Sequence, residues 1–341
     1  MSEFRTAVFN KKVNKIAVCF YGQYRTGTYC LPIIEKFLSQ IDADVDVFCS
    51  LKNYTTYATR HSYTKNNGID GHPSNWNDIE LVDINYQTDQ IEKYLKPKIF
   101  KLCTADDEEI IYRCPVDPTA MSGWADSIML KQQYEADNDI QYDLVFMMRY
   151  DVLIFPLDFG KLLIEALHNT NLATPIPGIM QTTETNFILA NTIDTKITWF
   201  NTNSIASYHE VLQDLFVIGS GNSMDIIAYQ TMSQLPGETQ HRGDYHSIDN
   251  VNFGHNIHHQ LPVIARKNNI KFYELPVINQ GNAYLENRDL VFNNLRFSDR
   301  TTVVYFPVRD VDLPPYDIDA LTDAKLDQIT RHCCNLWHNK Q

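Results

Sequence analysis

Two charged residues, Arg149 and Asp151, follow a run of five apolar residues from Leu144 to Met148. Such a run is typical of a strand that is buried on both faces of a parallel sheet. Side chains alternate along extended chain, so both charged groups would point to one side where the strand leaves the core, and ligands of open α/β sheets bind there. A carboxylate at that edge can hold a divalent cation, and an arginine can orient it or bind a phosphate. The alternative is a salt bridge that caps a buried strand.

A glycine-containing loop earlier in the chain could bind an anion. It follows a predicted strand, 15–20, and precedes an amphipathic helix with apolar residues at Leu31, Ile34, Leu38 and Ile41. A strand, a loop and a helix in this order present backbone N–H groups and a helix N-terminus to an anion. Gly22 and Gly27 have the spacing of a phosphate loop, but Thr28-Tyr29 replaces the required Lys-Ser/Thr, which excludes a Walker A motif. A simple strand-to-helix turn is the alternative.

These segments resemble motifs of one enzyme family. Asp143-Leu144-Val145 leading into Arg149-Tyr150-Asp151 resembles the Arg-x-Asp version of the Asp-x-Asp motif in GT-A-fold glycosyltransferases. The resemblance is greatest to the polysaccharide-type transferases of bacteria and large viruses. The same transferases begin with a Gly-Gln-x-Arg-Thr signature, which this chain resembles at Gly22, Gln23, Arg25 and Thr26.

The resemblance implies an α/β fold of the GT-A, Rossmann-like type, with a mostly parallel sheet flanked by helices, long loops and a C-terminal extension. It also implies that Asp151 ligates a Mn²⁺ or Mg²⁺ ion that bridges the diphosphate of a nucleotide-sugar, with a UDP-sugar as the expected donor. Arg149 would stabilise the departing diphosphate. Gly22, Gln23, Arg25 and Thr26 would hold the nucleotide end.

A predicted helix over 121–134 leads into the motif strand and carries Asp126. The resemblance implies that the N-terminal part of this helix approaches the sugar-nucleotide, which makes Asp126 a candidate donor-binding residue. The alternative is an exposed helical aspartate, since Ser127 and Lys131 share its polar side while Trp124 and Met129 belong to the apolar stripe.

A histidine-rich segment, 236–260, is predicted to close over the cleft. It contains Asp249, the candidate catalytic base or acceptor-orienting group. His255 and His259 are four residues apart, as in some helical zinc sites, but no intervening Glu or nearby cysteine supports a zinc site. The resemblance implies that a predicted strand at 214–219 borders the acceptor side of the cleft.

Asp42, Asp44 and Asp46 also repeat the Asp-x-Asp pattern. They precede or begin a predicted strand at 44–49, so they lie at its amino end, which is the wrong edge of the sheet for ligands. We expect solvated turn residues there.

Length and composition narrow the functional classes. The chain has 341 residues, 44% of them apolar, and a net charge of −13, which argues against broad binding to nucleic acid. Seven scattered cysteines do not form a disulfide framework, and no segment suits a membrane span or a signal core. We expect a cytoplasmic protein, in the host cytoplasm if viral, with a catalytic domain at 1–284 and a packed extension at 285–341.

The resemblance therefore implies a metal-assisted glycosyltransferase that moves a sugar from a nucleotide-diphosphate sugar to a glycan or another hydroxyl acceptor. One alternative is a phage-type enzyme that modifies hydroxymethylated DNA bases, which would need a local basic groove. A second is a non-catalytic module that binds sugars or nucleotides, and a third, based on the loop from Gly22 to Gly27, is a sulfotransferase-like enzyme. The sequence does not give the sugar, the stereochemistry or the oligomeric state.

Overall fold

The computed structural model describes residues 13–25, 27–56, 79–81, 84–103, 118–155, 186–190, 216–234, 264–265, 268–274, 277–279, 303–307, 317–322, 324–325 and 328. The helices in these ranges are α1 (Gly27–Leu38), α2 (Ile84–Tyr94), α3 (Pro118–Asn138) and α4 (Gly221–Gln234). The strands are β1 (Lys15–Gln23), β2 (Asp44–Lys52), β3 (Tyr54–Thr56), β4 (Ile79–Leu81), β5 (Ile99–Cys103), β6 (Leu144–Arg149), β7 (Val152–Phe155), β8 (Phe187–Ala190), β9 (Phe216–Ser220), β10 (Lys271–Glu274), β11 (Val277–Asn279) and β12 (Val303–Pro307).

Seven of these strands form the main sheet, in the order β10-β8-β9-β6-β1-β2-β5. Every neighbouring pair is parallel except the two pairs that include β9. The apolar runs of β6 and β9 are buried because helices cover both faces of the sheet. The predicted α/β fold, with a mostly parallel sheet flanked by helices, is confirmed; the antiparallel direction of β9 was not predicted.

Helices α3 and α4 cover one face of the sheet. Trp124, Ala125 and Ile128 of α3 are buried against apolar residues of β1, β2 and β6. On the opposite face, Phe37 of α1 makes an edge-to-face contact with Phe216, with ring centroids 6.3 Å apart. The helix pair on one face and the aromatic contacts on the other place the core on both faces of the sheet around β1 and β6.

The predicted polar side of α3 is wrong at two of its positions. Ser127 and Lys131 are both fully buried, whereas Met129, expected on the apolar stripe, has 46% of its surface exposed. The reason is that α3 packs against α4 as well as against the sheet, so its buried surface is wider than one stripe. Ser127 satisfies its hydroxyl by donating to the Trp124 carbonyl at 2.9 Å.

Two small sheets lie beside the main one. β12 pairs with β11 in parallel and with β7 in antiparallel register, and β3 pairs with β4. β7 starts one residue after Asp151, so the segment that leaves the main sheet at β6 continues directly into the sheet that holds β12. The domain boundary at residue 284 stays a prediction. Within the described residues, no helix combines the length and the apolar character that crossing a bilayer requires.

Asp46 lies near the amino end of β2, at the edge of the sheet opposite to the ends of β1 and β6. It is not merely solvated, as we expected. The Tyr142 hydroxyl donates to its carboxylate at 2.6 Å, and the Lys98 ammonium lies 3.3 Å from it. These contacts give Asp46 a structural role in joining β2 to the residues before β5 and β6.

Candidate functional site

The carboxyl ends of β1 and β6 bring three charged residues together. These two strands are parallel neighbours, and Tyr21 of β1 pairs with Arg149 of β6. The chain turns after each strand, which places Arg25 beside Asp151 although 126 residues separate them. The predicted proximity of the glycine loop to the Arg-x-Asp segment is therefore present in the fold.

Asp151 is the centre of this cluster, and its side chain is fully buried. Arg149 donates to both carboxylate oxygens, from Nε to Oδ1 at 2.9 Å and from Nη2 to Oδ2 at 2.6 Å. Arg25 adds a contact from Nη1 to Oδ2 at 3.2 Å. A two-pronged guanidinium pair is the strongest arrangement available to a carboxylate and fixes both groups in one orientation.

Alternation along the strands places the cluster on the face covered by α3. Tyr21 of β1 and Met147 of β6 both belong to the core beneath α3, so Arg149 points to that side as well. Tyr150 points to the other face, as the sequence predicted: its ring stacks on Phe20 at 5.5 Å between centroids. The charged side chains thus lie at one edge of the main sheet and on one of its faces.

The end of β1 and the loop that follows it have an unusual backbone. Gly22 has φ +96° and Arg25 has φ +46°, in a region that non-glycine residues rarely adopt. Arg25 is held there by its bonds to Asp151 and by a bond from its Nε to Gln23 Oε1 at 3.1 Å. A Cβ placed on Gly22 would meet no atom within 4 Å. Gly22 therefore borders open space at the edge where the arginines lie.

The electrostatics of the cluster favour an anion. Two guanidinium charges face one carboxylate charge, so the three side chains carry an excess of one positive charge. The side chains of Arg25 and Arg149 keep 17% and 12% of their surface exposed, whereas Asp151 keeps none. An anion arriving from solvent would meet the arginines and not the carboxylate. The arrangement can therefore orient and neutralise a phosphate.

The described residues do not fit a divalent metal at Asp151. Both of its oxygens already accept hydrogen bonds from guanidinium groups. In the part of the chain that the structure describes, no group of three or more His, Cys, Asp or Glu side chains could complete a metal site. Hard cations require several oxygen ligands, and a net positive neighbourhood opposes them.

Asp126 lies apart from this cluster and contacts β5. The Lys101 ammonium lies 2.9 Å from its Oδ1, and the Cys103 thiol donates to its Oδ2 at 3.4 Å. Burial raises the pKa of Cys103 to about 11, so the thiol is protonated at neutral pH and is not a nucleophile. Asp126 is therefore paired with Lys101. It is not the freely exposed helical aspartate of the alternative interpretation.

The structure brings Gly22, Gln23, Arg25, Arg149 and Asp151 together, and holds Asp126 against β5. Thr26 and Asp249 lie outside the described residues, as does the histidine-rich segment. Their roles stay predictions.

Sequence reasoning missed Lys52, the last residue of β2. Only 2% of its surface is exposed, and its Cα is paired with that of Gln23 in β1. The predicted strand ended at residue 49, three residues too early, so it did not include Lys52. Alternation from the buried Phe48 would have placed it on the α3 face, on the same side as Arg149.

Comparison with solved structures finds that the chain is similar to several glycosyltransferases. The chain is similar to the galactosyltransferase LgtC, solved with donor and acceptor sugar analogues, with a TM-score of 0.38 and 9% identity, covering 93% of this chain and 95% of that one. It is also similar to the apo form of the glycosyltransferase GlyE from Streptococcus pneumoniae TIGR4, with a TM-score of 0.34 and 12% identity over 96% of this chain and 64% of that one. A third structure is the bifunctional glycosyltransferase WbbM in its apo form, with a TM-score of 0.37 and 12% identity over 87% of this chain and 46% of that one.

The chain thus spans less than two thirds of the GlyE chain and less than half of the WbbM chain. No protein-family model matches it, and no curated protein matches it. The assignment of its fold therefore rests on its own strand order and register.

Proposed function

We propose that this protein is a glycosyltransferase that uses a nucleotide-diphosphate sugar, most simply a UDP-sugar, and transfers the sugar to a hydroxyl group. The observation that carries the proposal is the cluster of Arg25, Arg149 and Asp151 at the carboxyl ends of β1 and β6. Open α/β sheets bind nucleotides at that edge, and an excess of guanidinium charge suits a diphosphate.

In the transfer, the bond between the anomeric carbon and the diphosphate oxygen breaks, and its electron pair stays on the diphosphate. The acceptor oxygen forms the new bond to the anomeric carbon and loses its proton to a base, for which Asp249 is the candidate. The main electrostatic demand is the charge that develops on the leaving diphosphate. Arg149 and Arg25 would stabilise that charge, and Asp151 would hold both guanidinium groups in place.

No step of this mechanism passes through a metal ion, because the described donors do not fit one. Ligation of Mn²⁺ or Mg²⁺ by Asp151 stays a prediction from the resemblance. It would require Asp151 to release at least one guanidinium, or residues outside the described ranges to supply further ligands. The acceptor is a hydroxyl compound of unidentified class; the net charge of −13 favours a glycan or another small acceptor over DNA.

The test is release of nucleoside diphosphate from a panel of nucleotide-diphosphate sugars, with mixed glycan acceptors, in EDTA and in Mn²⁺. We expect release from at least one donor and a loss of at least about 100-fold for Arg149→Met, the size seen when one preorganised donor to a developing charge is removed. Lys98→Met, which removes a lysine at the opposite edge of the sheet, is the control and should retain full activity.

Binding of a nucleotide-sugar without turnover would contradict the proposal and favour the non-catalytic binding module. Release that requires Mn²⁺ would support the predicted metal. Binding of a sulfated adenosine nucleotide in place of every sugar nucleotide would favour the sulfotransferase-like alternative.

A further inference from the structure

We infer that the ring of Tyr86 stacks on the base of the nucleoside diphosphate that the arginine cluster binds. This inference rests on the proposed function and adds a base-contacting residue to it. Tyr86 is the third residue of α2, and 46% of its surface is exposed. An exposed aromatic ring can stack on any nucleobase, because every base has a flat π-face. Tyr86 therefore offers a surface that a base can contact without any rearrangement of the core.

A hydrogen bond holds the far end of this ring. The Tyr86 hydroxyl lies 3.3 Å from Oγ1 of Thr28, and the same Oγ1 lies 3.3 Å from the Tyr24 hydroxyl. Tyr24 is buried, so the chain of three hydroxyl groups ties an exposed ring to the core. A ring that is already held in one orientation loses less conformational entropy when a ligand stacks on it. Tyr86 is therefore preorganised for stacking.

The residues that hold Tyr86 belong to the segment that carries Arg25. The Gly27 amide donates to the Tyr24 carbonyl at 2.8 Å and closes a tight turn around Arg25. A Cβ placed on Gly27 would lie 2.7 Å from the Tyr24 ring, so this turn is closely packed. Arg25 reaches the charged cluster from the turn, and Thr28 reaches Tyr86 from the first turn of α1. The aromatic ring and one phosphate-binding arginine are thus held by the same short segment.

The position of Tyr86 matches the base end of a nucleoside diphosphate. Arg149 points to the face of the sheet covered by α3, whereas α2 packs against α1, which covers the other face. A diphosphate that contacts both arginines has one end beside Arg149 and the other beside Arg25. In the proposed transfer, Arg149 stabilises the end at which the bond to the sugar breaks. The base therefore lies at the Arg25 end, on the side of Tyr86.

Exposure alone does not select Tyr86. Tyr229 of α4 is more exposed, at 71%, but α4 lies with α3 on the face of the sheet opposite to α1 and α2. Tyr86 differs from it by the hydrogen bond to Thr28, three residues after Arg25. Tyr229 therefore provides a matched control, since it is an exposed helical tyrosine away from the predicted base.

The experiment is calorimetric titration of UDP and inorganic pyrophosphate, in EDTA, into wild type and three variants. Tyr86→Leu removes the ring and keeps an apolar side chain; we expect UDP binding to weaken roughly tenfold, as for loss of one stack between a base and an aromatic ring. Pyrophosphate has no base, so its binding should change by less than about twofold. Tyr86→Phe keeps the ring and should retain most of the UDP affinity. Tyr229→Leu should bind both ligands like wild type.

A Tyr86→Leu variant that binds UDP as tightly as wild type would overturn the stacking role and leave the proposed function intact. Equal weakening for UDP and pyrophosphate would also overturn it, because it would indicate a structural effect on the turn that carries Arg25. Failure of wild type to bind either ligand would contradict the phosphate site, the proposed function and this inference together.

Wild type provides a second test that does not depend on the folding of a variant. UDP should protect Tyr86 from nitration by tetranitromethane, whereas pyrophosphate should not. Nitration of Tyr229 should be the same with either ligand and without one. If Tyr86 is nitrated as fast in saturating UDP as in its absence, the inference is wrong.

Discussion

Two clusters of buried charge differ in where they lie and in the sign of the charge at their centre. At the carboxyl edge of the sheet, the carboxylate of Asp151 is fully buried between two guanidinium groups. Between α3 and α4, the ammonium of Lys131 is fully buried between the carboxylates of Glu135, at 2.8 Å, and Asp225, at 2.7 Å. The first cluster thus has two guanidinium groups around one carboxylate, and the second has two carboxylates around one ammonium.

The surroundings of the two clusters explain their different roles. Lys131 links two helices that pack along their length, and its partners belong to those helices. Asp151 holds one arginine that ends a strand and one that follows a strand, next to two residues with positive φ, Gly22 and Arg25. Ion pairs of the same kind thus link two packed helices in one place and orient cations towards open space in the other. The two clusters are alike in burial and differ in position, and the site that we propose is the one at the sheet edge.

Replacing Asp151 should have the largest effect. Asp151→Asn leaves two guanidinium groups close together with no carboxylate between them, and we expect a loss of about 3–5 kcal/mol in the free energy of unfolding, as for a broken buried ion pair. Pyrophosphate binding should also weaken, because the arginines lose their orientation. Urea denaturation and calorimetric titration measure the two effects. Wild-type stability in this variant would show that Asp151 does not hold the arginines.

Replacing Lys131 should cost less stability and leave binding intact. In Lys131→Met the two carboxylates lose their partner, but Glu135 and Asp225 keep 15% and 28% of their side-chain surface exposed and can be hydrated. We expect a loss of about 1–3 kcal/mol by urea denaturation. Pyrophosphate affinity should match that of wild type. If this variant loses affinity, the helix interface is coupled to the sheet edge and the division between the two clusters is wrong.

Replacing Gly22 distinguishes the effect of backbone strain on stability from the effect of a blocked ligand space on binding. Gly22→Ala places a methyl group where no atom lies within 4 Å but forces alanine to φ +96°. We expect a loss of roughly 1–2 kcal/mol in stability, measured by thermal unfolding, because of this backbone conformation. If the open space receives the diphosphate, saturating pyrophosphate should raise the melting temperature less than in wild type. An equal rise in both proteins would place the ligand away from Gly22.

The last prediction concerns the reactivity of the Cys103 thiol, for which we expect the smallest effect. Cys103 lies at the same edge of the sheet but outside the cationic cluster. With its pKa raised to about 11, only about one thiol in a thousand is ionised at pH 8, and the fraction increases as the pH rises. We expect iodoacetamide to modify Cys103 slowly in the folded protein and rapidly in urea, followed by peptide mass spectrometry. A similar rate in both conditions would contradict the burial of this thiol.

The elements of the main sheet could be predicted because their apolar runs are local signals. The run from Leu144 to Met148 is a strand, and the direction of Arg149 followed from alternation. The contact between Arg25 and Asp151 spans 126 residues, and no local pattern contains it. The resemblance to a family assigned both residues to donor binding but did not predict this contact.

Other features depend on tertiary contacts. The polar side of α3 was predicted wrongly because Lys131 pairs with Asp225, which lies 94 residues later on another helix. Without knowledge of that partner, a lysine in a buried ion pair cannot be distinguished from a lysine on a solvated helix face. Lys52 was missed because the strand was ended where its apolar run became polar, at Ser50. The direction of β9 depends on the path of the chain between strands, which periodicity does not encode.

The most direct test of the account is a crystal structure with the nucleoside diphosphate that raises the melting temperature most. We predict both phosphate groups at the carboxyl ends of β1 and β6, with oxygens at roughly 3 Å from the guanidinium nitrogens of Arg25 and Arg149. Asp151 should still contact both arginines. A nucleotide bound elsewhere on the protein, or arginines that remain closed on Asp151 with no phosphate beside them, would contradict the central claim.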